Sequence, residues 1–200
     1  TSLANGRLHY FLLSDDSQYV VYRAQLDTDT SWEFYSRRVD GSGVQVKLNG
    51  PLVADGQVGS IEISPDSSRV IYTADQDTDE VTELYTVPIA GGTPDKLNGP
   101  LTPGGDVDSS FSFSPDGQWV AYIADQDTDE VYELYIVPTD GSAAPVKVND
   151  ALVTDGDVQW SQFSPIGDYL VYFADQDVDE QYELYGVTLP GPGDPVKLNG

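Results

Sequence analysis

The carboxylates of this chain fall in clusters whose internal spacing repeats. Asp125, Asp127, Asp129 and Glu133 stand at positions 1, 3, 5 and 9 of one segment. Asp75, Asp77, Asp79 and Glu83 take the same positions in an earlier segment, and Asp175, Asp177, Asp179 and Glu183 in a later one. Alternate residues of a tightly curled loop can turn their carboxylates inward together. That suits a hard cation such as calcium, which takes about 6–8 oxygens at about 2.3–2.6 Å. A backbone carbonyl at position 7 (Val81, Val131 or Gln181) would complete the shell. Zinc is disfavoured because the chain has no Cys and only one His, His9. Magnesium is held less well by an all-protein cage. Three strong calcium sites are therefore expected. The first segment reads Gln25, Asp27, Asp29 and Glu33, so an amide replaces the first carboxylate and a weaker or vacant fourth site follows.

Position 6 is Glu80, Glu130 or Glu180. A Gly there would ease a sharp turn, whereas Glu enters the left-handed region only with strain unless it serves as a further ligand. The bland alternative is a set of solvated, turn-capping loops that aid solubility. Crowding weighs against it, since five acids per loop repel one another without a counter-ion. The four loops hold 18 of the 34 acidic residues, and without them a net charge of −25 would shrink to −7. With 9 Lys plus Arg in total, no basic cluster exists for nucleic acid or an anionic membrane. Cations or basic surfaces are the favoured partners.

The loops recur because the whole chain does. Tyr72, Tyr122 and Tyr172 follow Tyr22 at intervals of 50, and Tyr85, Tyr135 and Tyr185 follow Tyr35. Lys47-Leu48-Asn49 returns as Lys96-Leu97-Asn98, Lys147-Val148-Asn149 and Lys197-Leu198-Asn199. Each unit reads as four short strands punctuated by turns. In the third they are expected near 109–114, 119–124, 132–137 and 145–148, with the acidic loop between the second and third. Short strands at this spacing predict an all-β chain, and four per unit predict a β-propeller of four-stranded antiparallel blades. The expected blades are 1–50, 51–100, 101–150 and 151–200. A solenoid is the runner-up. No apolar period of 3.6 supports helices.

Ser114-Pro115-Asp116-Gly117 before an aromatic strand, then Leu134-Tyr135-Ile136-Val137-Pro138, Asp140-Gly141 and a Lys-Leu-Asn segment, resembles the WD40-like (PD40) repeat of TolB-like β-propellers. The resemblance covers all four units. It departs at Ser67 for Gly, at Ile166 for Asp, and at Ser14-Asp15-Asp16-Ser17, which has neither Pro nor Gly and suggests a degenerate terminal blade. The acidic loops also resemble the calcium-binding hairpins of integrin α-subunit propellers. The family usually closes with more than four blades. An open arc would expose apolar blade faces, so self-assembly or a longer parent chain is expected over a lone four-bladed ring.

The resemblance implies fold more than activity. The residues favour a non-catalytic binding or structural scaffold, because acids that obey the repeat lack the asymmetry of a catalytic site. His9 alone cannot supply an ordinary triad. The alternatives are a self-assembling subunit and the propeller of a larger peptidase, glycosidase or lyase. Calcium at extracellular levels suggests a secreted, cell-surface or periplasmic setting. The paired tyrosines are expected to pack between blades.

Overall fold

A computed structural model describes residues 7–27, 31–189, 191 and 193–199. Four separate four-stranded sheets follow one another along the chain, each with its strands in sequence order and all neighbours antiparallel. The first holds β1 (Arg7–Leu13), β2 (Tyr19–Gln25), β3 (Glu33–Arg38) and β4 (Val46–Lys47). The second holds β5 (Val58–Ile63), β6 (Arg69–Ala74), β7 (Glu83–Pro88) and β8 (Asp95–Lys96). The third holds β9 (Val107–Phe113), β10 (Trp119–Ala124), β11 (Glu133–Pro138) and β12 (Val146–Lys147). The fourth holds β13 (Val158–Phe163), β14 (Tyr169–Ala174), β15 (Glu183–Thr188) and β16 (Val196–Lys197). These are the blades of a β-propeller. The described residues contain no helix long and apolar enough to cross a membrane.

The chain divides into two compact units, residues 1–96 and 97–200, with two blades in each. In the first unit, Val21, Phe34 and Leu48 of one blade are buried with Val70, Tyr72 and Val87 of the next. In the second, Ile123, Leu134 and Val148 are buried with Leu170, Tyr172 and Val187. Alternation along each strand thus gives every blade two faces, and within each unit the front face of the first of its blades turns to the back face of the second.

The strand starting at Val107 begins two residues before its expected position. A register shift between Tyr122 and Ala124 interrupts the β9–β10 pairing, and bulged pairing breaks the alternation on which the expectation rested. The tyrosines pack between blades, as expected, with Tyr72 and Tyr85 in the core of the first unit and Tyr172 and Tyr185 in that of the second, and they also stack on one another. Tyr72 and Tyr85 are directly opposed on adjacent strands of one blade and stack at 5.5 Å, as do Tyr122 and Tyr135 at 5.3 Å. Between blades, Phe34 meets Tyr72 edge-on at 5.9 Å. The pairs are thus cross-strand stacks within a blade that also line the joint with the preceding one.

The turn after the first strand forms in all four blades, including those whose motif departs. Ser114 Oγ donates to Asp116 Oδ1 at 2.5 Å and accepts from Trp119 N at 3.0 Å, while Gly117 N donates to Ser114 O at 2.8 Å. Ser14 and Asp16 repeat this, with Ser17 at a φ of 60° where Gly117 has 70°. Where Ile166 replaces the acid, Asp168 accepts from Ser164 Oγ instead, at 2.6 Å. The first blade is therefore not degenerate at this turn. The Ser hydroxyl and a nearby carboxylate make the turn, and Pro and Gly only ease it.

Candidate functional site

The acidic hairpin after the second strand begins with a buried carboxylate. Asp125 Oδ1 accepts from Asp106 N at 2.5 Å, and its Oδ2 accepts from Glu130 N at 3.0 Å. Asp175 does the same with Asp157 N at 2.6 Å and Glu180 N at 3.0 Å. Asp75 accepts from Gln57 N. Position 1 therefore ties the hairpin to the loop that enters the same blade. The approach is close. A Cβ on Gly105 would lie 2.5 Å from Asp125 O, and one on Gly156 2.7 Å from Asp175 O, so only glycine fits.

Positions 3 and 9 meet a residue that the search for metal ligands passed over. Lys147 Nζ lies 3.1 Å from Asp127 and 2.9 Å from Glu133. Lys96 lies 2.8 Å from Asp77 and 2.5 Å from Glu83, and Lys197 lies 3.1 Å from Asp177 and 2.5 Å from Glu183. Lys47 pairs with Glu33 and lies 3.4 Å from Asp27. The second Glu oxygen accepts a tyrosine hydroxyl in the first three units, from Tyr35 and Tyr85 at 2.7 Å and Tyr135 at 3.1 Å, whereas in the fourth Tyr185, at 3.0 Å, shares Glu183 Oε2 with Lys197 and Gln181 Nε2 donates to Oε1 at 2.9 Å. Each unit so carries its own counter-ion.

The repeated Lys-Leu-Asn segment is one device. Its Lys bridges the two carboxylates, and Leu48 or Val148 fills the core. Its Asn accepts the third strand's backbone: Phe34 N to Asn49 and Leu134 N to Asn149 at 2.8 Å, and Leu184 N to Asn199 at 2.7 Å. The sequence signal was present, since the lysine recurs in step with the acids. The cross-strand pairing of Tyr135 with Lys147 brings it to the acidic end of the blade.

These contacts set the local electrostatics. Burial pushes the Tyr85 and Tyr135 hydroxyls far up, and the adjacent Glu83 and Glu133 push further. For Lys96 and Lys147 burial pulls down, but hydrogen bonds to the paired carboxylates win and the ammonium is held above its usual range. Asp157 is raised by burial, with Tyr132 N–H working against this and Asp175, Asp125 and Asp155 working with it. Its Oδ1 accepts from Tyr132 N at 2.8 Å, so this carboxylate joins the entry loop of the fourth blade to the hairpin of the third.

At position 6, Glu80, Glu130 and Glu180 adopt φ of 61°, 59° and 58°. The sharp left-handed turn is made by a residue that resists it. Asp79, Asp129 and Asp179 are exposed at the tip. Asp29, the position-5 acid of the first hairpin, lies outside the described residues. Among the described residues, no group of three or more acids or imidazoles is arranged to hold a metal ion. The first carboxylate faces backbone N–H groups and the third and ninth face lysine, so the arrangement is not a preformed calcium cage. His9 is exposed on β1, its ring 5.3 Å from Tyr10 and 5.5 Å from Trp32.

No family model and no curated protein sequence matches the chain. Solved structures do match in fold. Dipeptidyl peptidase 4 from Porphyromonas gingivalis superposes with a TM-score of 0.74 at 13% identity, over 96% of this chain and 30% of that one. TolB from Acinetobacter baumannii gives 0.55 at 12% identity, over 96% and 43%. The fold is that of TolB-like propellers. Oligogalacturonate lyase from Vibrio parahaemolyticus gives 0.63 at 14% identity, over 98% and 54%. The chain therefore spans less than two thirds of each of these proteins.

Proposed function

We propose that this TolB-like propeller is a non-catalytic scaffold that presents its acidic hairpins and entry loops to a basic partner. One observation carries the reading. The same Lys–Asp–Glu–Tyr cluster recurs in all four units, with its charges satisfied internally. A catalytic site needs residues that differ from their repeats. What each unit leaves outward is an exposed acid such as Asp79, Asp129 or Asp179, on a chain of net charge −25. Such a surface attracts cations over distances set by salt. An oligolysine peptide should bind in low salt, release as salt rises, and bind more weakly to the Asp79→Asn, Asp129→Asn, Asp179→Asn triple variant. Binding indifferent to both changes would reject the acidic presenting surface.

Calcium coordination is the second reading, favoured by five acids in each of three loops. It requires the lysines to leave positions 3 and 9 and the position-1 carboxylate to turn from the backbone. Melting in EDTA and in millimolar calcium separates the readings. Lysine-neutralised loops give overlapping curves. Occupied sites give a rise of about 2.7 kcal/mol per site at a hundredfold excess over Kd. A secreted or periplasmic setting goes with the calcium reading. Membership of a larger enzyme is suggested by the peptidase and lyase propellers that share the fold, and a longer reading frame carrying a catalytic domain would establish it.

A further inference from the structure

Inside each unit the front face of the first of its two blades packs on the back face of the second. The back faces of the second and fourth blades are covered, so that Val58, Val70, Val158 and Leu170 are buried. The first blade carries the equivalent apolar set, yet Leu8 is 61% exposed, Phe11 59% and Leu13 56%. The front face of the third blade is covered, with Leu134 and Val148 buried. On the fourth blade the equivalent Leu184 is 40% exposed and Leu198 55%. A groove on that face is lined by Gly186, Thr188, Asp194, Val196 and Leu198.

The blade-to-blade joint shows what each face receives. Ser36 Oγ on the first blade's front face donates to Ile89 O on the second blade's back at 2.5 Å. Gly91 stands against Val46, so close that a Cβ would collide with it. Back-face positions 89 and 91 therefore sit over front-face positions 36 and 46 of the preceding blade, and Val87, two residues before Ile89, joins the same core. Two substitutions at the exposed faces match across this joint. Where the second and fourth blades place Val87 and Val187, the first blade places Arg37. Where the first three blades place Ser36, Thr86 and Ile136, the fourth places Gly186, with Asp194 beside it in the groove. A large cation on one face answers a carboxylate on the other.

We propose that the back face of the first blade of one copy docks on the front face of the fourth blade of a second copy, head to tail, with Val39 over Gly186 and Arg37, two residues before it on the same face, paired with Asp194. The occupant is a second copy because the two exposed apolar faces carry opposite charges, Arg37 on one and Asp194 on the other, beside the positions that the internal joint brings together. Burying the exposed leucines supplies the driving force. The Arg–Asp pair fixes register more than affinity. This goes beyond the scaffold reading and does not depend on it.

Sedimentation velocity across a concentration series tests the joint on the intact chain. The expected mass is two or more chains. Leu184→Glu reduces it to one chain with an unchanged β-sheet circular dichroism spectrum, and Phe11→Glu, on the opposite face, does the same if Leu184→Glu disturbs folding. Arg37→Glu weakens association about tenfold or more, and adding Asp194→Arg to it restores most of that loss. A single-chain mass at every concentration overturns the proposal. So does an assembly that ignores both face substitutions, or a charge reversal that the second change does not rescue.

Discussion

The first acidic hairpin and the three that follow it share one half of their design and differ in the other. In all four, lysine bridges the third and ninth positions and a tyrosine hydroxyl closes the glutamate. Only the later three begin with a carboxylate that ties the hairpin to the entry loop. They continue with a glutamine that gathers more contacts: Gln126 Oε1 accepts from Gly99 N at 2.8 Å and from Tyr122 Oη at 3.0 Å. The first hairpin has Gln25 and Leu26 at these places, and Tyr22 turns its hydroxyl to Gln45 at 2.8 Å instead. The lysine half therefore stabilises a single blade. The carboxylate half anchors the entry segments of the second, third and fourth blades.

The sharpest way to break this comparison is at position 1. Asp125 is 2% exposed and accepts two backbone N–H groups. Asp125→Ala removes the acceptor of two part-buried backbone N–H groups and should cost about 2–4 kcal/mol, in the lower part of the about 1–3 kcal/mol that each group left unsatisfied costs. Gln25→Ala, which removes a neutral amide and no carboxylate, should cost less than about 1 kcal/mol. Urea unfolding of the two variants checks the difference. Equal losses would show that the first hairpin is anchored like the rest.

The shared half makes the opposite demand. Lys47→Met and Lys147→Met should each lose about 1–2 kcal/mol, a figure discounted because both lysines are partly solvated. The losses should match, since each leaves a nearly buried glutamate beside a tyrosine. Combining Lys147→Met with Glu133→Gln should recover part of the loss. A first-blade lysine worth nothing would split the half that the four hairpins share.

Alkaline titration reads the same half as a set. Tyr85, Tyr135, Lys96 and Lys147 all hold their protons more tightly when folded. A raised folded value means that the contribution is complete below the unfolded value and lost as pH rises through the folded one. Stability should hold to about pH 9 and then fall, with a slope of up to about 1.4 kcal/mol per pH unit for each group involved. Melts between pH 8 and pH 11.5 measure it. A flat profile would mean that the buried tyrosine–glutamate contacts do not bind protons preferentially in the fold.

Much of this was legible in the chain. The 50-residue period in Tyr72, Tyr122 and Tyr172 and the turn residues gave four blades of four strands. The acids at 125, 127, 129 and 133 gave the hairpin and its position. Their partners were harder, because a pattern search along the sequence sees ligands close in number. Lys147 reaches Asp127 across 20 residues only because β12 pairs with β11. Asp125 looked like its neighbours in the sequence, yet it alone points into the blade, because the entry loop comes back to it at Asp106. Register and loop return are products of packing, and spacing alone does not contain them.

The smallest test lies where a hairpin meets the next entry loop. Trp32 N of the first blade is met by the neutral Gln57 at 3.5 Å, and Tyr132 N of the third by Asp157 at 2.8 Å. Asp157 is raised by burial and then by its acidic neighbours, so its ionised form is disfavoured in the fold. Its contribution is thus complete below about pH 4 and lost as pH rises. Asp157→Asn keeps an acceptor for Tyr132 N and removes the charge. It should stabilise the protein by about 0.5 kcal/mol near neutral pH, a value kept small by partial solvation. The gain should vanish below about pH 4, where the aspartate is already neutral. Paired melts at pH 3.5 and pH 7 decide it. A gain of equal size at both would mean that shape, not charge, distinguishes Gln57 from Asp157.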